Sequence, residues 1–245
     1  MNNHQIEILI SPKNIEEAKV VIKAENVKYI DCKNPIEGSL GANFPWIIKE
    51  MKNLIPSNGS QLLSATIGDF PNLPGSASLA ALGAAVAGAD IIKVGLKGPK
   101  NEDEGIYLMK KVVKAVKDYN DNVKIVAAGY ADRERMSSSP QFMSIPIIAA
   151  DSESDIAMLD TYIKDGKGLF DFLDINQLTH FKNKAKDYGL KVALAGNLMK
   201  KDIIKIREIS PDIIGVRSIV CEGYDRNHGM IKYPLIKELE KELYK

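Results

Sequence analysis

The chain has 245 residues, of which 45% are hydrophobic, and it carries 33 basic against 32 acidic residues. This length and hydrophobic content fit one large domain or two small ones, and the absence of a linker, charge block or low-complexity boundary favours a single domain over residues 1–245. The balanced charge predicts no nucleic-acid partner and no membrane partner. The N-terminus has no basic start followed by a long apolar stretch, which predicts a cytoplasmic protein.

Short runs rich in valine and isoleucine alternate with segments of helical periodicity along the chain. The predicted strands are residues 6–11, 29–33, 62–68, 91–96, 124–131, 156–161, 191–197 and 213–218. The predicted helices are residues 14–25, 45–54, 76–87, 102–119, 175–188, 200–209 and 231–243, and no element is defined between residues 133 and 154. Such alternation is typical of parallel strands joined by crossover helices.

Eight strand and helix units in a chain of this size predict an α/β fold of the closed (β/α)₈ type, a TIM barrel. The alternative is an open, doubly wound parallel sheet. That fold often carries a glycine-rich dinucleotide fingerprint after its first strand, and this sequence has none there, which favours the barrel.

Charged residues follow several predicted strands at the ends where barrel enzymes place their active sites. Asp31 and Lys33 lie two residues apart on strand 2 and therefore share a face, Lys93 lies within strand 4, and Asp160 ends strand 6 with Lys164 four residues later. Random surface charge would fall in the helices and opposite loops as well. The concentration at one end predicts an active site.

A buried lysine beside other cations can be neutral and nucleophilic near physiological pH, so Lys33 and Lys93 indicate amine chemistry. The structural alternative is a lysine that extends along the barrel and places its ammonium group in water. Asp31 and Asp160 could be helix caps or ion-pair partners, and Lys164 alone would be read as a solvated residue of a turn.

Glycines follow the last two strands, where this fold often binds phosphate. Gly196 and Asn197 close strand 7, while Gly215 and Arg217 close strand 8, so backbone N–H groups and a guanidinium are predicted to bind a substrate phosphate. Glycines after strands are also common turn residues. The following loop, which contains Arg226, either binds a second anion or is an ordinary turn.

The remaining candidate residues point away from metal chemistry. The three histidines, His4, His180 and His228, form no metal constellation and no serine triad, and the two cysteines are too isolated for a disulfide framework or a zinc site. We therefore expect no metal. Phe44 and Trp46 are predicted to anchor the loop after strand 2 over the barrel mouth by packing rather than to stack on substrate.

The chain resembles the (5-formylfuran-3-yl)methyl phosphate synthase family of methanofuran biosynthesis. The similarity is carried by DCKNPIEGSLGANFPW at residues 31–46, SATIGD at 64–69, IKVGL at 92–96, AAGYAD at 127–132, AMLDT at 157–161, IKDG at 163–166 and GVR at 215–217. It spans nearly the whole chain and departs before Ile6 and over residues 133–154.

This resemblance implies a barrel enzyme that condenses two molecules of glyceraldehyde 3-phosphate into a phosphorylated furan aldehyde without a metal or organic cofactor. It implies that Lys33 forms a Schiff base, that Lys93 transfers protons, and that Asp31, Asp160 and Lys164 complete the charged network. A homo-oligomer is compatible with the sequence. The rival interpretations are another sugar-phosphate enzyme of the same fold, such as an aldolase or isomerase, and a non-catalytic barrel that senses sugar phosphates.

Overall fold

In the computed structural model, which describes residues 5–245, eight parallel strands pair in sequence order and close into a barrel. The closing pair joins β1 to β8, with Leu9 opposite Gly215. The strands are β1 Glu7–Ile10, β2 Val27–Cys32, β3 Leu62–Phe70, β4 Ile91–Leu96, β5 Lys124–Tyr130, β6 Ile156–Asp160, β7 Lys191–Leu194 and β8 Ile213–Val216. The predicted (β/α)₈ barrel is confirmed, and the open sheet is wrong.

A helix follows each strand. The helices are α1 Ile15–Ile22, α2 Pro45–Leu54, α3 Pro74–Val86, α4 Glu102–Lys117, α5 Ile145–Asp151, α6 Ile175–Asp187, α7 Ile203–Ile209 and α8 Tyr233–Leu243. Helix α5 lies in the segment for which the sequence predicted no element. It has only seven residues, with a proline in its first turn, so its periodic signal is too short to be recognised.

The predicted strands 7 and 8 extend past the observed ends of β7 and β8. Gly196 and Asn197 adopt positive φ angles of 107° and 48°, which no strand accommodates, so β7 ends before them and the chain turns there at the barrel mouth. The sequence pattern typical of a strand continues beyond the last paired residue, so the ends of these two strands were predicted too late.

Successive residues of a strand point to opposite faces, so alternate residues face the inside of the barrel or the layer between the barrel and its helices. On β2, Ile30 and Cys32 pack towards the helices, whereas Tyr29 packs inside the barrel. Cys32 therefore faces away from Asp31, which lines the cavity inside the barrel mouth. Inside the barrel the lower layers are apolar, as Ile91 illustrates, and the charged residues replace the apolar ones at the carboxyl ends.

The loop between β2 and α2 folds back over the barrel mouth. Leu40 is fully buried there, while the Ser39 hydroxyl donates to the carbonyl of Thr161 at 2.8 Å and Thr66 Oγ1 donates to the carbonyl of Gly41 at 2.6 Å. The loop is thus fastened to β3 and to the end of β6. This closure reduces water access to the charged residues below it.

The expected anchors of this loop are not the residues that hold it. Phe44 and Trp46 stack on each other with ring centroids 4.7 Å apart, but they are 49% and 64% exposed. Leu40 provides the buried contact instead, so the packing role predicted for the two aromatic residues is wrong. Within residues 5–245, no helix combines the length and the apolar character needed to cross a membrane.

Candidate active site

The first element of the site is a buried ion pair between β4 and β2. Lys93 Nζ lies 2.7 Å from Asp31 Oδ1, and both side chains are almost inaccessible to solvent. The Ser11 hydroxyl at the end of β1 donates to Asp31 Oδ2 at 2.7 Å. Two buried charges lose hydration that their attraction only partly restores, so a pair in this place is costly and typical of function rather than of stability.

Lys33 lies beside this pair but has no carboxylate of its own. It is 7% exposed, and its amine has no ion pair or hydrogen bond with the residues the structure describes. The pKa of Lys33 is lowered to about 8: burial is the largest cause, Asp31 and Asp160 oppose it, and Lys164 and Lys93 add to it. A lysine with this pKa is a competent nucleophile close to neutral pH.

The third element is the pair of Asp160, at the end of β6, with Lys164. Lys164 Nζ lies 2.7 Å from Asp160 Oδ1, which also accepts the backbone N–H of Thr161 at 2.7 Å. Burial by itself would raise the pKa of Asp160, but Lys164 and Lys33 outweigh burial and hold this pKa below its usual range. Asp160 is therefore an ionised carboxylate that orients one lysine and faces another.

All five charged residues predicted from the sequence line one cavity: Asp31, Lys33, Lys93, Asp160 and Lys164. Three ammonium groups against two carboxylates make the cavity suited to an anionic substrate. Neither Lys33 nor Lys93 extends into water, which excludes the structural alternative for these two lysines. The cavity has a volume of about 30 Å³, room for about two waters, so its lining must move before a larger molecule enters.

The glycines expected to hold phosphate lie on the rim of the same cavity. A side chain at Gly196 would approach Thr161 within 3.0 Å, and one at Gly215 would approach Ala195 within 3.1 Å, so a larger residue at either position would crowd its neighbours. Asn197 connects neighbouring loops, because its Oδ1 accepts the Ser218 hydroxyl at 3.0 Å.

Arg217 also lines the cavity, but most of its guanidinium donors point into the protein. Nη1 donates to Glu17 at 2.7 Å and to the carbonyl of Ser11 at 2.8 Å, while Nε donates to the carbonyl of Arg226 at 3.0 Å. The sequence suggested a guanidinium free for phosphate. The structure instead shows one that fastens α1 and the loop after β8 to the barrel.

Sequence reasoning missed two buried groups that support the site. Glu17 has no exposed surface, yet it lies on the helical period of α1 and reads as a surface residue. Tyr130, inside the barrel, donates a short hydrogen bond to Asp69, and Asp69 also accepts the backbone N–H of Leu40 at 3.3 Å. Burial raises the pKa of Asp69. This contact holds the loop after β2 in its closed position.

Neither of the two described histidines joins the site. His228 is exposed and pairs with Asp225, His180 lies on α6, and His4 falls outside the described residues. Within residues 5–245, no three histidine, cysteine, aspartate or glutamate side chains are grouped as metal ligands.

Solved structures with the same architecture include 3-hexulose-6-phosphate synthase from Salmonella typhimurium, which is 13% identical with a TM-score of 0.67 and covers 98% of this chain and 99% of its own. Orotidine 5'-monophosphate decarboxylase from Methanocaldococcus jannaschii is 17% identical with a TM-score of 0.64 and covers 98% of this chain and 100% of its own. At these identities the likeness concerns the fold alone. The protein is of the TIM-barrel class.

Comparison of the amino-acid sequence with known proteins shows the family within this class. The model of the 4-HFC-P synthase family matches residues 8–240. A (5-formylfuran-3-yl)methyl phosphate synthase from Methanococcus aeolicus is 53% identical over 234 residues, which are 96% of this chain and 98% of the relative. The enzyme of the same name from Methanocaldococcus jannaschii is 53% identical over 238 residues, 97% of this chain and 99% of the relative. The chain belongs to the 4-HFC-P synthase family.

Proposed function

We propose that this protein condenses two molecules of glyceraldehyde 3-phosphate into (5-formylfuran-3-yl)methyl phosphate for methanofuran biosynthesis. Two triose phosphates contain the six carbons of the product, and the atoms balance when one phosphate and two waters leave. The observation that carries the proposal is Lys33, a buried amine without an ion-pair partner among the described residues, whose pKa is about 8. The family membership supports the same reaction.

The reaction begins at Lys33. Its neutral amine attacks the aldehyde carbon of one triose phosphate, and water leaves as the imine forms. The protonated imine withdraws electrons from the adjacent carbon, so a base can remove the proton there and generate an enamine. The enamine carbon then attacks the aldehyde of a second molecule and forms the new carbon–carbon bond. This electron sink is organic and lies within the chain, so the scheme requires neither a metal nor a bound cofactor.

Ring formation requires several further proton transfers, and the two ion pairs provide the groups for them. Lys93 is the proposed proton donor and acceptor. Its ammonium group contacts Asp31 at 2.7 Å, and this contact holds it at the cavity. Lys164, held at 2.7 Å by Asp160, lies on the outer side of the site, where a departing phosphate needs a cation or a proton. Each pair keeps a proton available without adding net charge to the cavity.

The phosphate of the imine-bound molecule is assigned to the rim formed by Gly196, Asn197, Gly215 and Arg217. Backbone N–H groups in turns after parallel strands bind phosphate well, and the positive φ angles at Gly196 and Asn197 favour such a turn. Arg217 contributes mainly through its position and backbone, since Glu17 occupies much of its guanidinium. We expect the enzyme to act in the cytoplasm on this small-molecule substrate.

Borohydride trapping tests the Schiff base. Glyceraldehyde 3-phosphate with borohydride should add covalent mass to the peptide containing Lys33, and Lys33→Met should remove the adduct. Lys111→Arg, on the exposed side of α4, is the matched control and should label like the unsubstituted protein.

The mass of the product identifies the reaction. Purified protein and glyceraldehyde 3-phosphate alone should yield a six-carbon furan phosphate together with free phosphate. A reversible ketose phosphate would instead indicate an aldolase or isomerase. Tight binding with an unlabelled Lys33 would indicate a sugar-phosphate sensor and would refute the covalent mechanism.

A further inference from the structure

A second cavity adjoins the first on its outer side, between the loops after β6, β7 and β8. It has a volume of about 290 Å³, compared with about 30 Å³ for the inner one. One water needs about 10–15 Å³ of such volume, so the outer cavity has room for a triose phosphate of about ten non-hydrogen atoms. Four residues line both cavities: Lys164, Asn197, Ser218 and Arg226.

Arg226 is the cation on this shared border that has no bound partner. Its side chain is half-buried, and its guanidinium forms no ion pair or hydrogen bond with any described residue. Burial lowers the pKa of Arg226, Asp160 opposes this effect, and Arg217 adds to it. The backbone of Arg226 is fastened in place by the Nε donor of Arg217 at 3.0 Å. A half-buried guanidinium whose donors are free and whose backbone is held in place is well suited to bidentate phosphate binding.

The carboxylates of the outer cavity do not neutralise Arg226. Asp165 is bound by Arg135 at 2.5 Å, and Asp225 is bound by His228 at 2.8 Å and by two backbone N–H groups. The remaining charged groups on the lining, Lys164 and Lys167, are cations. Lys164 is paired with Asp160, so Arg226 and Lys167 are the cations of the outer cavity that have no carboxylate partner among residues 5–245.

We propose that the outer cavity is the subsite for the second triose phosphate and that Arg226 binds the phosphate group of that molecule. This assignment rests on the proposed condensation, which requires two phosphorylated aldehydes to be present together. With its phosphate on Arg226, the second molecule reaches across the border residues towards the inner cavity, where the first is attached to Lys33. The two phosphates are thereby kept on different cationic groups.

The subsite is tested by separating imine formation from condensation in Arg226→Ala. Loss of one charged hydrogen-bonding partner should raise the glyceraldehyde 3-phosphate concentration that half-saturates furan formation by about 10- to 100-fold. The concentration that half-saturates borohydride trapping at Lys33 should stay unchanged, because trapping needs only the first molecule. Arg226→Lys should restore part of the lost affinity. Arg207→Ala, an exposed arginine of α7 away from the mouth, should change neither quantity.

The outcomes separate this subsite from the condensation itself. Unchanged half-saturation of furan formation in folded Arg226→Ala and Arg226→Lys proteins would overturn the subsite. So would an equal rise in both half-saturation concentrations, since Arg226 would then bind the first molecule. If the unsubstituted protein shows no trapping and no furan, the condensation fails instead. The far-ultraviolet circular dichroism of each variant establishes that the barrel is intact.

Discussion

The pKa of Lys33 predicts how trapping should depend on pH. At pH 7 a lysine with the ordinary pKa of 10.5 is neutral in about one molecule in three thousand, whereas a pKa of about 8 leaves about one in ten neutral. The net shift, of which burial is the largest cause, thus increases the fraction of neutral amine about 300-fold at pH 7. The rate of borohydride-trapped imine formation should rise with pH and level off above about 8.

Two substitutions should move this midpoint in opposite directions. Asp160 raises the pKa of Lys33, so Asp160→Asn should shift the midpoint below 8. Lys164 lowers that pKa, so Lys164→Met should shift it above 8 and slow trapping at neutral pH. Each neighbouring charge should change the rate at pH 7 by about tenfold or less.

The assay is single-turnover trapping from pH 6 to 11, with the adduct at Lys33 quantified by mass spectrometry. Lys111→Arg serves again as the control and should reproduce the unsubstituted profile. A midpoint close to 10.5 would show that burial does not tune this amine. If the midpoint moved in the same direction in Asp160→Asn and Lys164→Met, the electrostatic account would be refuted, even if the unsubstituted protein had a midpoint near 8.

Three further predictions concern activity and stability. Lys93→Arg should nearly abolish furan formation with an unchanged circular dichroism spectrum, because the guanidinium holds its proton; near-normal turnover would remove the proton-transfer role. Glu17→Gln should lower the free energy of unfolding in urea by about 3–5 kcal/mol by leaving Arg217 buried without its carboxylate, and a loss below about 1 kcal/mol would contradict the importance of this pair. Lys33→Met should raise the free energy of unfolding at pH 7 by up to about 3 kcal/mol. The pKa of Lys33 is lower in the folded than in the unfolded protein, so the unfolded chain binds more protons between pH 8 and 10.5. The stability of the unsubstituted protein therefore rises with pH across that range, and the advantage of Lys33→Met should disappear there.

The barrel could be predicted because its signal is local and repeated. Each strand of a barrel covered by helices is a short apolar run, and Ile91–Leu96 was located to the residue in the sequence. The same period places Asp31 and Lys33 on one face of β2. Once eight such units are recognised, closure of the sheet brings their carboxyl ends together, and the five charged residues of one cavity follow from that geometry.

The partners of the arginines could not be predicted. Glu17 and Arg217 are 200 residues apart in sequence, and only the packing of α1 against the end of β8 brings them within 2.7 Å. A local pattern contains no information about which of two arginines finds a carboxylate. Arg217, which was expected to bind phosphate, instead fastens loops together, while the guanidinium of Arg226 has no partner among residues 5–245.

By itself, the amino-acid sequence determined the order of the strands, seven of the eight helices in residues 5–245, the barrel and the identity of the lysines and aspartates at its mouth, because these depend on short-range periodicity. Only the tertiary structure decided which charges pair. Lys93 contacts Asp31 and Lys164 contacts Asp160, each at 2.7 Å, while Lys33 has no carboxylate partner in the part of the chain that the structure describes. Burial and the distances between charges set the pKa of each amine, and both arise only when distant strands close into a barrel.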